Sequence, residues 1–184
     1  MNAVYLVAIG SVANPVLDWV EATIAEWCPW PVWRVPPLAF PPDSFDMKRG
    51  QYKSVDIMKA VARCAPPEAT RILGVTEGDL AIPTLTFVFG QAQLDGAVAV
   101  VSLARLRQEF YGLPADENVL RERLVKEVLH ELGHTFGLTH CAEPKCVMSL
   151  ATHIGLVDSK ELRYCGHCGA HLVHRFTTPD GEKS

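Results

Sequence analysis

Residues 130–140 read HELGHTFGLTH, three histidines and a glutamate at spacings suited to metal-assisted hydrolysis. On an α-helix each residue turns about 100° and rises about 1.5 Å, so His130 and His134 differ by about 40° in direction and both reach one ion. His140 lies six residues further on, where a continuing helix would aim it about 120° away and about 9 Å along the axis. Gly137 supplies the break, because a residue without a Cβ adopts the left-handed conformation that ends a helix and turns the chain back. The three imidazoles then converge. Three neutral nitrogen ligands leave one tetrahedral position open, the arrangement of a catalytic rather than a structural zinc. Glu131, beside His130, is placed as a general base. Hydrogen-bonded to zinc-bound water, it takes a proton as a carbonyl is attacked and returns it to the leaving amine. No serine or cysteine nucleophile is needed.

A second group of metal-binding residue types follows at once: Cys141, Cys146, Met148, Cys165 and Cys168, in the pattern HCxxxxCxM and then CxxC. Thiolates in such pairs hold a closed, four-coordinate zinc that replaces the core a small segment lacks. Disulfides are disfavoured, because residues 1–13 lack the basic start of an export signal and Val4 to Ile9 reads instead as a buried first strand, which predicts a cytoplasmic chain with reduced thiols. A redox CxxC would need a βαβ setting. His167 sits inside CGHC, with His171 and His174 after it, and any of these could replace a cysteine as ligand. Cys28 and Cys64 read as ordinary thiols and Met148 as a packing residue.

Taken together, residues 130–168 resemble the archaemetzincins, a branch of the metzincin metallopeptidases. The resemblance implies that His130, His134 and His140 bind a catalytic zinc, with Glu131 as the base. It also implies that Cys141, Cys146, Cys165 and Cys168 bind a second, structural zinc, giving two ions per chain, and that Met148 belongs to a tight turn beneath the histidines. An edge strand at Leu85 to Gln91 is expected beside the cleft, where a peptide or protein substrate could pair with it.

Two other readings compete. A bacterial endoribonuclease family places three histidines at the same spacing, but has glycine where Glu131 stands and lacks the cysteines. The chain's 17 basic against 21 acidic residues, net −4, also provide no general field for nucleic acid. The other is a non-enzymatic module presenting the cysteine pairs to a partner, against which the intact HExxH argues.

The elements that must position these groups can be read from periodicity. Val4 to Ile9 reads as a buried strand, and Asn14-Pro15 opens an amphipathic helix ending at Cys28-Pro29. Trp30 to Val35 reads as a strand, and the proline-rich PPLAFPPDSF as a loop. A helix is expected from Tyr52 to Cys64, and strands at Thr70 to Val75, Leu85 to Phe89 and Ala97 to Ser102. Asp116 to Phe136 reads as a long helix with one broad apolar side, its histidines pointing roughly the opposite way. Beyond Gly137 lie four of the six cysteines and five of the seven histidines, with little periodicity.

The fold class is α+β: a mixed twisted sheet with packed helices, an active-site helix, and a zinc-stapled, loop-rich C-terminal segment, all in one domain over residues 1–184. No apolar run is long enough to cross a bilayer, and a monomer is expected.

Overall fold

A computed structural model of the chain describes residues 2–177. Its main sheet has the strand order β2-β1-β5-β8-β7, built from β1 (Val4–Ile9), β2 (Val32–Arg34), β5 (Arg71–Thr76), β7 (Gly90–Ala92) and β8 (Val98–Ser102). Four strands run parallel, and β7 closes one edge antiparallel to β8. The three central parallel strands, β1, β5 and β8, are almost wholly buried because helices cover both faces, as their continuous apolar runs require.

Alternate residues divide between two cores. Leu6, Leu73, Val75, Ala99 and Val101 face α1 (Asn14–Trp27) and α3 (Glu117–Thr135). Val7, Ile9, Ile72, Val98 and Val100 face α2 (Ser54–Cys64). A small second sheet, β3 (Phe45–Asp46), β4 (Gln51–Lys53) and β6 (Leu80–Ala81), lies beside them.

β1 and α1 fall where periodicity puts them, and α3 begins at an Asp116 cap whose carboxylate accepts from the backbone amides of Asn118 and Val119. Two expectations need correction. Leu85 to Phe89 is not a strand: the edge strand is only Gly90–Ala92, preceded by a turn and by a single bridge from Val88 to Leu80. The cause lies far off in sequence. Arg49 donates to the carbonyls of Ile82, Leu85 and Thr86, so these groups are engaged by a guanidinium instead of a ladder.

The second correction concerns α3, which is not two-sided. His130 and Glu131 are as buried as the leucines opposite them. Glu131 packs against Gly90 of β7, and His130 is covered by the C-terminal segment, which contains α4 (Ile154–Ser159) and α5 (Gly166–Thr177) among its loops and contributes Val147, Met148, Val157 and Leu172 to the core.

Candidate metal centre and cleft

The end of α3 carries out the turn that Gly137 allows. Gly137 has φ +91°, its amide donates to His134 O at 2.9 Å, and the Leu138 amide donates to Gly133 O at 3.0 Å. These two bonds form the capping motif that reverses a chain beyond a left-handed glycine. The reversal brings His140 back, with its ring centroid 5.4 Å from that of His130 and 5.0 Å from that of His134. One ring nitrogen from each of the three histidines lies within 4.8 Å of the other two.

Hydrogen bonds fix which nitrogens face inward. His130 Nδ1 lies 2.9 Å from Val147 O and His134 Nδ1 lies 2.7 Å from Leu138 O, so both Nδ1 atoms carry the proton and donate. Their Nε2 lone pairs therefore confront each other at 3.1 Å, an arrangement that is repulsive without a shared cation. Tetrahedral zinc, with Zn–N of about 2.0–2.1 Å, sets its nitrogens about 3.3 Å apart, so these residues fit the ion. Burial is the chief cause that lowers the basicity of all three histidines, and the nearby Lys160 charge adds to it, which keeps them in the neutral, ligating form.

Met148 lies under this centre, fully buried, and a Cβ at Gly133 would collide with its Sδ. The turn bearing Met148 also supplies Val147 O to His130, so it positions the first imidazole. Glu131 lines a cavity of about 590 Å³ together with the three histidines, the edge segment Phe87 to Ala92, and Leu150 and Ala151. Burial first, then the neighbouring Glu127 charge, raises its carboxyl well above the usual range, and Lys160 opposes them.

The four cysteine sulfurs form the second cluster. Their Sγ atoms lie within 4.8 Å of one another, with Cys141 and Cys165 at 3.7 Å, close to the roughly 3.8 Å edge expected of a tetrahedron with Zn–S near 2.3 Å. Backbone amides donate into it, Glu143 N to Cys141 and Cys165 N to Cys146. The Cys168 amide is the main influence bringing the Cys165 thiol down to about 7. His167, His171 and His174 belong to neither potential ligand group among the described residues, and His171 Nε2 instead meets Phe136 O at 2.9 Å. Cys141 directly follows His140, so the two clusters are one peptide bond apart.

Two neighbours of the histidines carry no motif in the sequence. Glu127 and Lys160 pair at 3.2 Å inside the same cavity. Glu127 precedes Glu131 by four residues on α3, a spacing that puts both on one face, and that is the one signal that could have found it.

The model for peptidase family M54 matches residues 49–174. The chain belongs to this family. It is a zinc-dependent metallopeptidase, and the ribonuclease reading falls away. An archaemetzincin of Methanocaldococcus jannaschii is 46% identical over 141 residues, covering 77% of this chain and 76% of the relative. Among solved structures, the archaemetzincin of Methanopyrus kandleri aligns with TM-score 0.81 and 35% identity over 97% of this chain and 96% of that one. A zinc-dependent peptidase from Methanocorpusculum labreanum aligns with TM-score 0.77 and 34% identity, over 92% and 100% respectively. The M54 match thus spans both clusters and the edge strand. No helix among the described residues is long and apolar enough to cross a membrane.

Proposed function

We propose that His130, His134 and His140 hold the zinc at which this peptidase cleaves peptide bonds, that Glu131 is its general base, and that Cys141, Cys146, Cys165 and Cys168 hold a second, structural zinc. The supporting observation is the pair of Nε2 lone pairs brought to 3.1 Å beside a buried carboxylate on the wall of an open cleft. Zinc in that position supplies Lewis acidity toward a carbonyl and acidifies water.

The protein's own groups do the rest. Glu131, its carboxyl raised by burial, accepts the proton of the attacking water and delivers it to the departing amine. Val147 O and Leu138 O fix two imidazole orientations. The free edge of β7 lies along the cleft, so an extended peptide can add to it as a further strand.

Metal counting and peptide cleavage on the wild type and Glu131→Gln test this reading. About two zinc ions per chain are expected in both proteins, with hydrolysis in the variant lower by roughly two to four orders of magnitude. Retained hydrolysis would overturn the assigned base.

A further inference from the structure

Beyond the histidines the cleft continues to a buried ion pair for which the hydrolytic chemistry has no use. Lys160 follows α4, and its side chain is 1% exposed. Among the described residues its Nζ has one carboxylate partner, Glu127 Oε1 at 3.2 Å. The other close polar atom is His130 Nδ1 at 3.5 Å, and it is no acceptor: that nitrogen already donates to Val147 O. A buried ammonium with a single acceptor is costly unless something else fills its remaining donors. Lys160 and Glu127 both line the cavity that contains Glu131 and the histidines. Its mouth is apolar, with Leu85, Leu94 and Leu150 all exposed around it. The cleft thus joins an apolar entrance to a deep end with unused hydrogen-bond donors and a charge already offset by Glu127.

We propose that Lys160 is a specificity residue that binds a carboxylate of the substrate peptide, either an acidic side chain next to the scissile bond or the peptide's own C-terminal carboxylate. Glu127 holds the ammonium in place and moderates its pull. The proposal rests on the cleavage reading above, since it names what that cleft selects. A carboxylate on an aliphatic stem suits the apolar entrance and meets the ammonium donors with opposite charge, whereas an amide offers only a neutral acceptor and a lysine repels them.

The test uses the full, zinc-loaded chain and a matched peptide set. Each peptide carries Glu, Gln or Lys at one position flanking the scissile bond, with a free or an amidated C terminus. The same peptides, prepared as zinc-binding hydroxamates, are titrated by calorimetry. The expected result is a preference for Glu over Gln at one position, or for the free over the amidated terminus, of roughly tenfold or more in both kcat/KM and Kd. In Lys160→Gln/Glu127→Gln, which keeps a neutral hydrogen-bonding pair, that ratio falls toward one while the zinc content stays that of the wild type. Glu127→Gln alone, which frees Lys160 from its counter-charge, raises the ratio and decides the matter if the double variant does not fold.

A wild-type ratio of one, or a ratio unmoved in these variants, overturns the proposal and leaves the peptidase reading intact. Preferential binding of the acidic hydroxamate by a chain that cleaves none of the peptides has the opposite meaning: the subsite stands and the cleavage reading fails.

Discussion

At the residue scale, Gly90 and Glu131 occupy space that permits no side chain at position 90. A Cβ there would stand 2.6 Å from Glu131 Cγ, 2.7 Å from Glu131 Oε1 and 2.7 Å from the backbone oxygen of Val100. The last of these cannot swing away, so the glutamate would have to leave the position from which it would act as the base. Gly90→Ala is therefore expected to retain metal, lose about 1–3 kcal/mol of stability and lose hydrolysis more than tenfold. Thermal melts, metal analysis and peptide turnover on one preparation check this, and an alanine variant with unimpaired turnover would show that the edge strand does not position the base. The sequence announces the histidines because helical geometry makes His130 and His134 converge and Gly137 marks the turn that returns His140. It is silent about Gly90 and Lys160, whose importance comes from neighbours that only the fold brings near.

At the element scale, the chain's periodicity identifies β1, α1 and α3 because each buries a regular face, and it fails where long-range polar contacts decide. The turn before β7 follows from three carbonyls bound by Arg49, a cause no local pattern expresses. α5 is the converse case. At 12 residues it is too short to be stable alone, and its apolar contribution is limited to Cys168, Leu172 and Phe176, the last edge-on to Trp30 and Phe136. It is secured at its start by Cys165 and Cys168, midway by His171 on Phe136 O, and near its end by Arg175 on Asp95. The Asp95 amide in turn donates to His134 O, so the helix leans on the end of the active-site helix. Cys168→Ala is expected to remove about one zinc ion per chain and expose the amides of 166–177 to rapid hydrogen exchange. His134→Ala should lose the other ion while those amides stay protected. Equal loss of protection in both variants would show that the cysteine cluster does not secure this helix.

At the scale of the whole molecule, one sheet with helices on both faces buries an unusual number of groups that prefer charge or water, and acid should expose that arrangement. Burial of His130 and His134, and partial desolvation of the more exposed His140, hold all three below the ordinary histidine value near 6.5. Below that value the unfolded chain takes up protons that the folded chain refuses. The stability tied to these residues is therefore intact above about 6.5 and is lost as pH falls through the window beneath it. Glu127 and Glu131 act in the other direction, since burial raises both and the folded state holds their protons at pH values where the unfolded chain has released them. Bulk melting would blend the two effects, so the measurement must be site-resolved. In zinc-free protein the ring-proton NMR signals of the three histidines should titrate below about 6.5, His130 lowest because it is the most buried and has Lys160 beside it. A His130 signal titrating at or above the ordinary value would mean that water reaches its ring in solution. The closed packing of Val147, Met148 and Lys160 around the first imidazole would then be wrong, and with it the fixed orientation on which both the metal centre and the carboxylate subsite depend.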